Sequence, residues 1–177
     1  MEHWDVYDEH RQRTGKQVPR GPVIAEGHFH TVVHLCLFDD LGRMLIQRRA
    51  PDKPTWPGQW DFSVGGSVVA GETSAEGVAR ETREELGIEL DPSQLRAAFT
   101  FNFPGGFDDF YLVEKPVDLE SLAVPNDEVA AIKWASQEEV LALVRSGEFI
   151  GYRESVLRFV FDFVNYPDIF AVTPQWR

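Results

Sequence analysis

Gly66-Ser67-Val68-Val69-Ala70-Gly71-Glu72-Thr73-Ser74-Ala75-Glu76-Gly77-Val78-Ala79-Arg80-Glu81-Thr82-Arg83-Glu84-Glu85-Leu86-Gly87-Ile88 is the stretch on which the reading of this chain turns. Thr73 opens a helix as a capping box with Glu76. Ala75, Val78, Ala79, Thr82 and Leu86 recur at helical spacing, and Gly87 supplies the stop. On a wheel of about 100° per residue with Glu81 at zero, Glu85 falls at about +40° and Glu84 at about −60°. The three carboxylates therefore share an arc of about 100°, opposite the Val78/Ala79/Thr82 stripe. Arg80 stands four residues before Glu84 and can brace it. Glu72, on the preceding loop, joins the cluster if that loop folds back.

An acidic helix face can be merely solvated, because exposed like charges at i,i+4 cost only a few tenths of a kcal/mol. Partly buried, two such charges about 5 Å apart at an effective ε of about 20 repel by roughly 3 kcal/mol. Either their pKa values then rise or a divalent cation neutralises them. Carboxylates without imidazole or thiolate among them suit magnesium or manganese rather than zinc.

Around this helix the chain reads as one α/β domain over 1–177. Its 43% apolar and 26% charged residues are globular proportions. With 17 basic against 29 acidic side chains the formal charge is −12, which repels a nucleic-acid polymer but not a small phosphorylated substrate whose charge a metal offsets. A single cysteine, Cys36, excludes an internal disulfide and a multi-cysteine zinc site, and points to a reducing cytoplasm. Met1 to His10 lacks the apolar run of a signal peptide, and no 18-residue apolar stretch crosses a membrane.

Trp4 to Tyr7 alternates, and Thr14-Gly15 supplies a turn, so an N-terminal hairpin extension is expected within 1–27. Val32 to Phe38 and Met44 to Arg49 read as strands around an Asp39-Asp40-Gly42 turn, followed by a proline-rich loop from Pro51 to Gly58. Trp60 to Val64 reads as one further strand. Leu95 to Phe103 and Phe110 to Val117 flank Pro104-Gly105-Gly106, and Val129 to Trp134 follows. Helices from Gln137 to Arg145 and from about Arg153 to Phe163 close the chain within 136–177.

Gly66, five residues, Glu72, seven residues, then Arg80 to Ile88 resembles the Nudix box, G-x5-E-x7-R-E-U-x-E-E-x-G-U with U bulky and aliphatic. All seven fixed positions match, for which chance at one start is on the order of 10⁻⁸ to 10⁻⁹. Thr82 departs at the first U position, on the buried stripe. The resemblance implies the Nudix fold, a mixed β-sheet sandwiched between α-helices, with 66–88 as a loop-helix-loop. It implies hydrolysis of a nucleoside diphosphate linked to another moiety, or of a related diphosphate. By position, Glu84 and Glu85 would hold Mg²⁺ (or Mn²⁺), and Glu81 would be a ligand or the base that activates water. Glu72 and the Gly66 carbonyl would complete the site, and Arg80 would orient the glutamates. Glu128, before the Val129 strand, is a candidate for the additional carboxylate of many members, with Asp108, Asp109 and Asp127 as alternatives. Asp108 and Asp109 follow a Gly-Gly turn and can equally be solvated. Dimerisation is common in the family, so a homodimer is part of what the resemblance implies.

Upstream, Phe29-His30, the strand to Phe38, Gln47-Arg48-Arg49-Ala50 and Lys53 to Trp60 resemble isopentenyl-diphosphate isomerase, itself of Nudix fold. Those isomerases need a cysteine just after the Trp60-type strand. Asp61 to Ser67 contains neither cysteine nor histidine, and the hydrolase box is complete. Hydrolysis is thus the expected activity, with isomerase-like chemistry and a catalytically silent nucleotide-binding module as alternatives. Arg48 and Lys53 are candidate phosphate contacts, although alternation sends Arg48 and Arg49 to opposite faces. Trp56 is a candidate stacking surface, or with Trp60 a packing anchor. His30, at the position of an isomerase metal ligand, is expected to be structural or substrate-facing, and Cys36 an inert core residue.

Overall fold

The apolar stretch Val32 to Phe38 becomes part of the strand on which both halves of the core are built. A computed structural model describes residues 2–21 and 24–165. In chain order its strands are β1 (His3–Tyr7), β2 (Arg13–Pro19), β3 (His30–Phe38), β4 (Met44–Arg49), β5 (Trp60–Asp61), β6 (Val64–Ser67), β7 (Phe99–Phe103), β8 (Gly106–Glu114) and β9 (Val129–Ala135). The helices are α1 (Ser74–Leu86), α2 (Gln137–Ser146) and α3 (Glu154–Asn165). The closing part of the expected 136–177 helical region, 166–177, lies outside the described residues.

Strands β3 to β9 form one mixed sheet. Along one edge β3 pairs in parallel with β8, which continues antiparallel to β7. Along its other edge it pairs antiparallel with β6 and then, at Phe38, with β4, which carries β5 and β9. Alternation along β3 and β4 divides the core. Cys36, Phe38, Met44 and Ile46 pack with α2 and α3, whereas Val33, Leu35, Leu37 and Leu45 pack with Val78 and Leu86 of α1. This is the helix-sheet-helix sandwich expected. No described helix is long and apolar enough to cross a membrane.

Three local readings change. The segment Trp60 to Val64 is not one strand. β5 pairs with β4 and β6 with β3, so the chain changes partner between them. Ser63 bridges the divergence, its buried hydroxyl donating to Leu45 O and accepting from Leu37 N–H. The N-terminal hairpin turns at Asp8 to Gln12, not at Thr14-Gly15. Asp8 Oδ1 accepts the N–H groups of His10 and Gln12, an aspartate-built turn that leaves Arg11 left-handed at φ 61°. Finally, β7 and β8 are joined by Pro104-Gly105 alone, so Asp108 and Asp109 lie within a strand rather than in a loop.

Gly106 is required by the β3–β8 pairing, because a Cβ there would overlap the His30 carbonyl. Gly106→Ala is therefore expected to lower the free energy of unfolding by about 1–3 kcal/mol, read from urea denaturation; an unchanged midpoint would contradict the register.

Candidate active site

The site forms where α1 meets the strand that ends at Gly66. Thr73 caps α1 with the full capping box to Glu76, and Gly87 closes it at φ 73°. The buried face of this helix is wider than the apolar stripe suggests. Glu81 and Glu85 are only 7% and 3% exposed, so the purely solvated acidic face is excluded; Glu84 does face solvent. A Cβ at Gly66 would overlap the Glu81 carboxylate, so only glycine lets the two elements approach this closely.

Arg80 gathers the cluster. Its Nε lies 2.9 Å from Glu72 Oε1, and its Nη1 lies 3.0 Å from Glu81 Oε1 and 3.1 Å from Glu84 Oε2. Its Nη2 donates to Ser67 O at 3.0 Å, which fixes the fork against the box's first strand. Burial opposes the guanidinium charge, but Glu72 and Glu81 hold its pKa above the ordinary value. The i,i+4 brace to Glu84 and the folding back of Glu72 are both present.

Glu85 is held differently. Gln47 Nε2 donates to its Oε2 at 2.8 Å, Gly65 N–H approaches the same oxygen at 3.4 Å, and Asn126 Nδ2 donates to its backbone carbonyl at 2.9 Å. Burial and then the charge of Glu81 push its pKa up to about 8. Burial likewise raises Glu81, against the pull of Arg80. Gln47 and Asn126 were not singled out in the sequence. The signal for Gln47 was available, since alternation along β4 places it on the α1 face with Leu45.

Among the described residues no three carboxylate, imidazole or thiolate side chains already converge in the arrangement of a metal centre. Arg80 and Gln47 occupy the oxygens that would turn toward a cation. The residue set nonetheless fits one, because hard oxygen donors are crowded around Gly65 and Gly66 and two of them are buried, which raises their pKa values.

The peripheral candidates divide. Glu128 contributes its charge to the shift at Glu85, and its Oε2 pairs with Lys53 Nζ at 2.7 Å. Asp127 is exposed. Arg48 donates to Gly58 O at 2.8 Å, bracing the proline-rich loop, while Arg49 donates to Thr55 O and lies 3.8 Å from Asp61. Trp56 is no packing anchor; its side chain is 53% exposed on a backbone at φ 51°. Trp60 does pack, against the core and beneath Lys133 Nζ. His30 stacks on Trp4 at 4.1 Å, and burial lowers its pKa.

Asp108 and Asp109 are not solvated. Asp109, 1% exposed, accepts from Arg11, Ser74 and Thr100 on the α1 face. On the other face Asp108 Oδ1 lies 2.8 Å from His34 Nδ1, and the Tyr152 hydroxyl bonds to Asp61 Oδ1 at 3.1 Å. Cys36 is fully buried, and burial raises its thiol pKa well above the ordinary value, as expected of an inert core residue.

Fold and site together define a sheet-helix scaffold presenting buried carboxylates beside a glycine, and comparison with known proteins gives it a family. A model of the NUDIX domain matches residues 28–156. An uncharacterized Nudix hydrolase of Listeria monocytogenes is 46% identical over 152 residues, covering 86% of this chain and 90% of the relative. An isopentenyl-diphosphate Delta-isomerase of Cutibacterium acnes is 33% identical over 144 residues, 72% of this chain and 71% of its own. Among solved structures, a Deinococcus radiodurans protein superposes with a TM-score of 0.72 at 28% identity, over 90% of this chain and 97% of that one. The chain belongs to the Nudix hydrolase family.

The raised pKa of Glu85 has a measurable consequence for the metal-free protein. Its carboxyl titrates near 4.5 when unfolded and at about 8 when folded. The folded state therefore keeps a proton the unfolded state has lost, and stability falls as pH rises through this window. In EDTA the Tm is expected to drop by several degrees between pH 5 and pH 8. Glu85→Gln should flatten that slope; an equally steep slope in the variant would assign the effect elsewhere.

Proposed function

We propose that this Nudix hydrolase is a divalent-metal-dependent pyrophosphohydrolase that cleaves the phosphoanhydride bond of a small diphosphate, such as a nucleoside diphosphate linked to a second group. The observation that carries the reading is the burial of the Glu81 and Glu85 carboxylates beside Gly65 and Gly66, with Arg80, shared among three glutamates, as the cation that pairs with the cluster. Glu72, Glu81, Glu84, Glu85 and the Gly66 carbonyl would hold Mg²⁺ or Mn²⁺, with Glu128 as the additional carboxylate. The chemistry such a cation would supply is neutralisation of diphosphate oxygens and a lowered pKa for the attacking water.

The protein's own groups supply the rest. Glu81, adjoining Gly66, would serve as a ligand or as the base that takes the proton of the attacking water as the oxygen–phosphorus bond forms and the anhydride bond breaks. Gln47 orients Glu85, and Arg80 orients Glu72, Glu81 and Glu84. Arg48 and Lys53 stand on or beside the Pro51–Gly58 loop, where their charge meets an incoming phosphate. Trp56, held exposed at a positive φ, offers its ring to the group attached to the diphosphate.

Isomerase relatives do not alter this reading. The Asp61 to Ser67 segment lacks a cysteine, and the one thiol of the chain is buried within β3. Steady-state assays on a panel of nucleoside diphosphate sugars, nucleoside triphosphates, dinucleoside polyphosphates and prenyl diphosphates identify the substrate. With the best of these, EDTA should abolish turnover and Mg²⁺ or Mn²⁺ restore it, and Glu85→Gln should lower kcat by about 10²-fold or more. Equal metal-dependent turnover in wild type and variant would refute the site. Double-bond migration in isopentenyl diphosphate, without phosphate release, would favour the isomerase.

A further inference from the structure

The matched family region begins at residue 28, yet the hairpin that precedes it grips the loop presenting Glu72. Three consecutive loop residues bond to it. Ala70 N–H donates to His3 O at 2.8 Å, Gly71 N–H donates to Asp5 Oδ2 at 2.9 Å, and Arg13 Nη2 donates to Glu72 O. The two side chains that do this are themselves fixed. Asp5 Oδ2 lies 3.5 Å from Arg13 Nη1, and Arg13 Nε donates to the Tyr7 hydroxyl at 3.1 Å.

A second attachment lies one residue past the helix cap. Arg11, at the hairpin turn, pairs with buried Asp109, which accepts from Ser74 Oγ at 2.6 Å; Tyr111 donates to the same serine at 2.9 Å. The hairpin is anchored in turn by Trp4 and Val6, both buried, and by reciprocal bonds between Tyr7 and Phe29. The loop has little of its own to hold it. Gly71 stands at φ 92°, and the only bonds within 69–72 join Val69 and Glu72.

We propose that the β1–β2 hairpin is the positioning element for Glu72: Asp5 and Arg13 set the path of Ala70 to Glu72, Arg11 sets the start of α1 through Asp109, and together they bring the Glu72 carboxylate to the box. This rests on the metal-site reading, in which Glu72 is a ligand. None of the three hairpin residues touches the reacting atoms. Their removal acts on the geometry of the carboxylate, not on the identity of any donor.

The test uses the full chain with Arg13→Ala, Arg13→Lys and, as a control on the same strand, Lys16→Ala, an exposed residue. Amide hydrogen exchange across 69–73 is measured by mass spectrometry, and Mn²⁺ affinity by electron paramagnetic resonance without substrate. Arg13→Ala should speed exchange at Ala70 to Glu72 by about tenfold and weaken Mn²⁺ binding by about five- to tenfold, with kcat falling on the best panel substrate by more than KM changes. Arg13→Lys, which still offers a donor to Glu72 O, should recover part of both, and Lys16→Ala should match wild type. Wild-type exchange and Mn²⁺ affinity in Arg13→Ala would overturn the proposal, even if its Tm fell. A wild type that binds no Mn²⁺ would refute the metal reading, and the exchange result alone would then decide whether the hairpin holds the loop.

Discussion

Two carboxylates buried beside Gly65 and Gly66 set the terms for everything around them. Glu81 and Glu85 leave water as α1 packs on the sheet, and each gives up hydration that a neighbouring like charge cannot replace. The fold answers with one cation and a set of dipoles. Arg80 spreads its charge over Glu72, Glu81 and Glu84, and Gln47, Gly65 and Asn126 steady Glu85. One guanidinium against four carboxylates leaves the cluster short of positive charge. A structural ion pair would be balanced, and this imbalance is what the proposed divalent-cation site rests on.

That cluster depends on the sheet as much as on the helix. Gly66 can approach Glu81 because β6 is held on β3 from Val32–Ser67 to Leu35–Val64, and α1 lies on the face that Val33, Leu35 and Leu37 make apolar. The opposite face carries a separate buried network, in which Asp61, Tyr152, His34 and Asp108 satisfy one another. Burial raises the pKa of Asp61, and Asp108 raises that of His34 in spite of burial. Through Arg49 this network also reaches Thr55 on the proline-rich loop, so the loop is tied to the core as well as to β4.

What could be read from the sequence followed from local rules. The capping box, the Gly87 stop, the spacing of Arg80 to Glu84 and the alternation of β3 each depend on neighbours a few residues apart, and each recurs in the structure. The features that escaped reading are long-range. Asp109 looked like a solvated residue after a turn, but Arg11, 98 positions away, and Ser74 make it a buried acceptor. Gln47 gains its meaning only when β4 is set opposite Glu85. The change of strand partner at Phe62-Ser63 is equally invisible locally, because it depends on β3 and β4 diverging. Trp56 misled in the other sense: a tryptophan beside a proline suggests packing, but the loop turns it outward.

The segment between β5 and β6 also limits which chemistry this scaffold can host. A nucleophilic thiol at residue 65 would set its Cβ 3.1 Å from the His34 ring, and one at residue 66 would overlap the Glu81 carboxylate. Ser63 spends its hydroxyl on Leu45 and Leu37, which leaves it no freedom to act as a nucleophile. Packing thus leaves no room for a side chain at residue 66 and crowds one at residue 65. The groups that remain beside Gly66 are carboxylates, whose chemistry is to hold a hard cation and to accept a proton from water. The glycine that permits the Glu81 carboxylate to come in so closely thus leaves no room for a larger side chain at that position.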